Sequence, residues 1–390
     1  KKTWRPLGNR NPLQKIALNV ARKTVMASKE KNPTPQSVLE KVLDAARWAP
    51  SGDNTQVWRF EITSENSFRI HGFDTRDWVV YDLEGHASQL ALGCLLESVC
   101  IAAKTFGSTA IIQYDETSPD DKPTFDVEIA EASEKSDENE LYPYLFSRTV
   151  QRRPMGTRPL TADEKAELEG CLPEGYELIW IEDRKEIWKI AKLMYGNAHT
   201  RLSMKEGFDV HSKVIDWGKS VSVDKIPDKS LGLDFLTLKL MKWSLQSWPR
   251  FKFLADFMGG TIIPRITLDF IPSVKSCAHF IIVRHDAPDR IENYVAAGRA
   301  VQRFWLVATK LNLGFQPEQT PVIFSEYIRR SIKFTDNETT IKYATRMDAK
   351  FKELVGEQVV NNSIFMGRLG RTGQIKHRSV RLSAEDLKLQ

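Results

Sequence analysis

Cysteine is scarce in this chain: four residues among 390, Cys94, Cys100, Cys171 and Cys277. None stands in a CxxC pair or at a Cys/His spacing suited to a metal, so neither a disulfide framework nor a metal site is expected. Cys94 and Cys100 fall in an apolar helical stretch, where a small buried thiol is the expected reading. A reducing cytoplasm fits this usage. Also missing is any run of about 18 consecutive apolar residues, so no transmembrane segment is expected. The opening residues Lys1, Lys2, Thr3 and Trp4 supply no hydrophobic signal core, and because the first residue is not methionine a segment removed upstream is an expectation. Charge of one sign is not in large excess: 56 Lys and Arg against 51 Asp and Glu leave +5. That balance suits an anionic ligand and falls short of a nucleic-acid footprint, and no RNP, zinc-finger or basic-zipper pattern occurs. No His/Asp or Cys/His constellation marks a nucleophile. His86, His199 and His279 read as structural histidines, and no catalytic residue is assigned.

What is present is ordinary globular composition, 41% hydrophobic and 27% charged, over a length that allows one large domain or two of usual size. A weak internal repeat divides it. Gly93–Gly107 reads GCLLESVCIAAKTFG and Gly298–Gly314 reads GRAVQRFWLVATKLNLG. A constant offset sets Gly93 on Gly298 and Ala103 on Ala308, and places Leu96, Val99, Cys100 and Ile101 on Val301, Phe304, Trp305 and Leu306. Both segments are apolar at helical spacing and wide enough to be buried on most sides. The flanks agree. A helix over 36–48, opened by Thr34-Pro35, carries the stripe Leu39, Val42, Leu43 and Ala46; strands over 57–62 and 68–71 follow. In the second half Thr161 opens a polar helix over 162–170, and 176–181 reads as a strand. Between helix and strand the first half has the loop 49–56, the second only Pro173-Glu174-Gly175. The halves are placed at 1–145 and 146–390.

A long segment, about 206–272, interrupts the second half without a partner in the first. Leu236, Leu240, Trp243, Trp248, Phe251, Phe253 and Phe257 alternate there with Lys239, Lys242, Arg250 and Lys252. Such a basic amphipathic stretch either lies on a membrane surface or packs over its own domain as an insertion, the commoner outcome.

Two stretches carry groups for chemistry. Residues 49–60, APSGDNTQVWRF, form a polar turn between helix and strand. Ser51, Asn54 and Gln56 offer hydroxyl and amide groups that donate and accept, as a planar heterocycle with carbonyls and ring nitrogens requires, and Pro50 stiffens the loop. A plain surface turn has similar composition. Residues 147–161, SRTVQRRPMGTRPLT, place Arg148 and Arg152 four apart. In a helical turn they share one face and form an anion site.

The run LDAARWAPSGDNTQVWRF (43–60) resembles the ring-facing loop of the nitroreductase superfamily of flavoproteins, with Val57 in place of the usual proline. Arg148 and Arg152 resemble the arginine pair with which that family grips flavin mononucleotide (FMN), with Val150 where a hydroxyl residue belongs. GFQPE (314–318) resembles the stretch approaching the flavin's reactive edge, which assigns Pro317 and Glu318 to the cofactor. GRLGRTGQIKHRSVR (367–381) resembles the C-terminal basic element, with Arg378 best placed and Arg371 and Lys376 behind it.

The resemblance is to the fused, Acg-like branch of that family. It implies an α+β fold of two fused halves, a pseudo-dimer in which each half is a mostly antiparallel sheet flanked by helices, with 206–272 as a helical lid. Residues Ile215–Lys219 of that lid are the first to consider for substrate contacts. The loop occurs only in the first half and the arginine pair only in the second, so one FMN site per chain is expected, complete in a monomer. Further self-association stays open. The implied activity is hydride transfer from NADH or NADPH through FMN to a small planar acceptor, a quinone or nitro compound; the alternative is an FMN-storage protein without turnover.

Overall fold

Strands with every second residue apolar build the first sheet. A computed structural model describes residues 37–132, 139–257 and 259–389; the opening residues and the expected cap at Thr34-Pro35 lie outside them. β1 (Trp58–Ile62), β2 (Ser67–Gly72), β3 (Ser108–Tyr114) and β4 (Thr124–Glu131) pair antiparallel in the order β1-β2-β4-β3. Phe60, Phe68, Ile70, Phe125, Val127 and Ile129 point from it into the core, the period-two consequence of the pleat.

The second sheet is also antiparallel. β5 (Tyr176–Ile181), β9 (Ala278–Arg284), β10 (Leu313–Pro317) and β11 (Ser363–Arg371) lie in the order β10-β11-β9-β5. β9, AHFIIVR, is buried along nearly its whole length because both faces are covered. Phe280, Ile282, Phe315 and Leu369 join the main core. Ile281, Val283 and Met366 pack on the other side with Ile187, Ile190, Met194, Met347 and Phe351. The architecture is α+β with two antiparallel sheets flanked by helices.

Between the sheets cross the two helices of the sequence repeat, His86–Thr105 and Ile291–Lys310. Their glycines meet: a Cβ on Gly93 would overlap the Val295 carbonyl oxygen, and one on Gly298 that of Leu90. Only glycine permits this backbone approach. The contact is fixed by polar bonds. The Cys94 thiol donates to the Gly298 carbonyl (3.1 Å), Gln302 donates to Ser98 Oγ (2.9 Å), and Arg299 and Arg303 hold Glu97 at 3.0 and 2.5 Å. By length and composition the stretch Leu83–Thr105 is apolar enough to cross a bilayer, although Ser, Gln and Glu interrupt its apolar run; 83% of its most apolar window is buried inside the protein.

The helix after the described start spans Val38–Ala46 and is capped by Ser37, whose hydroxyl accepts from the Glu40 amide while Glu40 returns a bond to the Ser37 amide. The reciprocal box sits closer to the apolar stripe than the expected Thr34. All four cysteines are free. Burial pushes the Cys94 and Cys171 thiols up to about 12 and Cys277 to about 11, so they are inert fillers. Among the described residues no His/Cys/Asp/Glu group could hold a metal.

The segment 206–272 folds into helices Lys205–Val214, Phe235–Ser244 and Trp248–Phe257, with short strands β6 (Ile215–Asp216), β7 (Val221–Ser222) and β8 (Ile226–Pro227) between them. Its own core of Phe208, Val210, Val214, Ile226, Leu231 and Leu245 packs on Val79. The chain's end returns across the molecule. β12 (Arg378–Ser379) pairs parallel with β7, and the Leu389 amide donates to the Phe60 carbonyl at 2.7 Å.

Candidate functional site

The loop after the first helix is closed by its own groups. The Gln56 amide donates to Ser51 Oγ at 2.9 Å, and a 3₁₀ turn runs over Gly52–Asn54. Asp53, Asn54 and Gln56 all have φ near +50 to +66°, a left-handed cluster outside glycine that persists only where surroundings enforce it. Here they do. Gln56 Nε2 donates to the carbonyls of Asn54 (3.1 Å) and Val223 (2.8 Å), and its Oε1 accepts from the Leu382 amide (2.9 Å). Asn54 Nδ2 donates to the carbonyls of Val380 (3.1 Å) and Lys225 (3.3 Å). The loop thereby ties three distant parts of the chain together.

One cavity of about 80 Å³ opens at this junction, lined by Pro50, Ser51, Asp53 and Asn54, by Arg148, Thr149, Val150 and Arg152, and by Ile226, Trp305, Ser379 and Arg381. Residues 148–152 are extended, with Val150 bridged to Phe315 and the Gln151 amide bonded to the Phe315 carbonyl. This corrects the expected helical turn. Arg148 and Arg152 still share a face, because positions i and i+4 coincide in a strand as they do in a helix, and Val150 between them lines the same wall.

Four guanidinium groups gather at this cavity. Arg148 donates to the Trp48 carbonyl at 3.0 Å and lies over the Trp305 ring at 4.4 Å. Arg152 reaches only Ser230 Oγ, at 3.5 Å. Arg378, just behind the wall, donates to the Phe146 carbonyl at 2.9 Å and covers Trp48. Arg381 donates to the carbonyls of Ala49 (2.8 Å) and Val380 (2.9 Å). None of the four forms an ion pair among the described residues.

The electrostatics follow from that. Burial, then repulsion from Arg378, pulls Arg148 down to about 9. Burial pulls Arg378 to about 10. Arg381 falls well below the usual range through burial, then Arg148, Arg378 and Arg47. Burial also lowers Arg152, against the pull of Asp53, whose own carboxyl burial raises. Arg152, Arg378 and Arg381 keep some exposed surface because they border space, yet protein surrounds them on most sides. Arg148 Nε, Asn54 Oδ1 and Trp305 Nε1 are buried without a partner. Four converging cations against the single carboxylate of Asp53, beside unmatched polar atoms, form a site suited to an anion with hydrogen-bonding edges. Its size suits a phosphate-scale group, since a water's share of liquid is about 30 Å³.

The structure thus brings Pro50, Ser51, Asn54, Arg148 and Arg152 to one cavity, with Arg378 behind it and Gln56 beneath the loop. Pro317 and Glu318 do not line it. Glu318 is 3% exposed and accepts from His279 Nδ1 (2.6 Å), Arg368 Nη1 (2.8 Å) and Ser273 Oγ (2.9 Å). Burial alone would raise its carboxyl; His279 and Arg368 bring it to about 2. Arg368 also donates to the Arg152 carbonyl at 3.1 Å, so this network braces the arginine wall from below. Arg371 pairs with Glu164 at 2.6 Å and Lys376 is exposed; neither reaches the cavity. Asp53, Thr149, Trp305, Ser379 and Arg381 were not singled out from sequence. Thr149 supplies a hydroxyl next to the position where Val150 has none.

A second cavity, of about 400 Å³, shares Asp53, Arg152 and Ile226 with the first and is otherwise walled mainly by aliphatic residues of 202–268. Of the stretch Ile215–Lys219, Ile215 lines it. A wider, open depression at the starts of the two core helices is bordered by five carboxylates, Glu84, Glu116, Asp120, Asp289 and Glu292, against the two guanidinium groups of Arg76 and Arg290, which makes it the less suited to an anion.

The chain is 23% identical over 342 residues to the uncharacterized protein MT1398 of Mycobacterium tuberculosis, an alignment covering 86% of this chain. It spans about half (46%) of that relative's length. Among solved structures it is similar to a nitroreductase with bound FMN from Bacteroides fragilis: 11% identity, 62% of this chain and 95% of that one, TM-score 0.32. It is also similar to a nitroreductase-like family protein from Bacillus cereus: 12% identity, 64% and 95%, TM-score 0.31. At such scores the superpositions place no residue of this chain. The family model is more specific, because its match contains the strained 49–60 loop and the first glycine-crossed helix. Over residues 22–108 the chain matches the Nitroreductase family.

Proposed function

We propose that the chain is an FMN-dependent oxidoreductase of nitroreductase type, taking hydride from NADH or NADPH and delivering it to a small planar acceptor, a quinone or a nitro compound. The observation that carries this reading is the group of four arginines that form no ion pair among the described residues and face only the Asp53 carboxylate, beside a loop inside the family match. Arg148, Arg152 and Arg381 would hold the phosphate, with Arg378 reinforcing the field. Thr149 and Ser379 offer hydroxyls, and Ser51 and Asn54 supply the polar edge. When bound, the flavin supplies the hydride chemistry. The chain's part is to bind the anion, orient the ring against the strained loop and exclude water. Because the cavity draws residues from both halves of one chain, the proposed unit is a monomeric pseudo-dimer with 206–272 as its lid, working in the cytoplasm.

One feature favours the storage reading. Residues 221–231 close over the arginines through Ile226, through the Lys225 carbonyl that accepts from Ser379 Oγ (2.9 Å), and through β7–β12 pairing. Anaerobic mixing of the yellow protein with NADH or NADPH separates the two. Bleaching, with recovery of colour on adding a quinone or nitroarene, supports the oxidoreductase. Flavin that stays oxidised with both donors supports storage.

A further inference from the structure

The segment 206–272 presents a face that the proposed function does not use. On and beside the helices Phe235–Ser244 and Trp248–Phe257, large apolar side chains point outward: Phe235 (68% exposed), Leu236 (74%), Leu240 (50%), Trp243 (42%), Ile262 (47%) and Ile263 (60%). An apolar patch of this kind marks an interaction surface. Its charge is mainly positive. From Phe235 to Phe257 the cations are Lys239, Lys242, Arg250 and Lys252, against a single carboxylate, Asp256, which Lys252 pairs. Lys239 lies over the Phe235 ring at 4.5 Å and Arg250 over Trp243 at 5.2 Å, so each cation stands among the exposed apolar groups.

The patch borders a cavity. Leu240 and Ile263 belong both to the exposed face and to the wall of the 400 Å³ apolar cavity. That cavity is also lined by Leu231, Leu245 and Leu254, and by Asp53 and Arg152 of the arginine site. A mainly aliphatic cavity that shares Leu240 and Ile263 with an exposed apolar face carrying Lys239, Lys242 and Arg250 matches the chemistry of a bilayer interface, with hydrocarbon at the centre and anionic headgroups around it.

We propose that this face docks on an anionic lipid bilayer and that the cavity takes a lipid-soluble small molecule from it. The molecule's role as electron acceptor would rest on the oxidoreductase reading. Docking and uptake do not, and neither measurement below depends on a bound flavin.

The test is flotation of the full chain with phosphatidylcholine vesicles containing or lacking phosphatidylglycerol, at low and high salt. The chain should float with the anionic vesicles at low salt and stay behind with the neutral ones. Each basic side chain near the surface contributes roughly five-fold to partitioning, so Lys242→Glu with Arg250→Glu should lower it by roughly 25-fold or more. Leu236→Asp should lower it as well. All three positions are exposed, and circular dichroism checks the fold. For the cavity, decylubiquinone should quench tryptophan fluorescence saturably, and Ala255→Phe, which fills the wall, should weaken that binding at least ten-fold; Thr237→Phe replaces it if the first variant does not fold. Failure to float at low salt, or variants that float like the parent, overturns the docking. So does a concentration-dependent dimer in sedimentation velocity that Leu236→Asp splits, because the face would then belong to a second copy. Equal quinone binding by the filled variants overturns the uptake.

Discussion

Replacing Arg148 with Met should move stability and ligand affinity in opposite directions. Arg148 is 4% exposed, and burial followed by the Arg378 guanidinium displaces its ionisation from 12.5 to about 9. That displacement corresponds to on the order of 5 kcal/mol held against the charged form in the ligand-free fold. Methionine removes the penalty. It also removes the bond to the Trp48 carbonyl and the stacking on Trp305, about 1 kcal/mol each. The net expectation is a ligand-free protein more stable by ~1–4 kcal/mol, the range seen when buried charge gives way to packed apolar groups. FMN, by contrast, loses a charge-assisted hydrogen bond worth ~1.5–3 kcal/mol, roughly ten- to more than a hundred-fold in Kd. The sign also appears in the parent's pH dependence. The unfolded chain binds more protons between pH 9 and 12.5, so ligand-free stability should rise with pH across that window. Thermal melts of stripped protein, with parallel FMN titrations, measure both quantities. A lowered ligand-free melting point with unchanged FMN affinity would refute the reasoning.

Other perturbations give distinct outcomes. Gly298→Ala should destabilise the fold by ~3 kcal/mol or prevent folding, because its Cβ meets the Leu90 carbonyl in the helix crossing; denaturant titration reads this, and a change under 1 kcal/mol would be inconsistent with the crossing. Glu318→Ala should cost ~3–5 kcal/mol by stranding the buried Arg368 without its counter-charge; urea melts decide. His211 is held down to about 3 by burial, then by Arg201. Its contribution is therefore complete above pH 6.5 and lost as pH falls from there towards 3. His211→Asn should flatten the acid limb of a stability–pH curve, and an unchanged limb counts against it.

The frame was legible where a local rule and the tertiary structure agree. The strand over 176–181 and the helix over 162–170 stand where the sequence placed them. The repeat found its explanation in space: Gly93 and Gly298 align because they face each other across one crossing. Arg148 and Arg152 were paired on the premise of a helical turn, and the pairing survives because i, i+4 also closes in a strand. Arg381 was hidden. Its neighbours Arg378, Arg371 and Lys376 have the same composition, and only folding back against Ala49 distinguishes it. Glu318 carries no local sign of its partners either, since His279 and Arg368 arrive from two other strands. Gln56 reads in sequence as a ligand group; in space its amide ties the loop to Val223 and Leu382.

Parallel titration of the flavin-free chain with FMN and with riboflavin tests the central claim most directly, because the two differ only in the phosphate assigned to the arginines. The chain should take up about one FMN, with an affinity for FMN at least a hundred-fold above that for riboflavin. Equal affinities, or two FMN per chain, would contradict the claim.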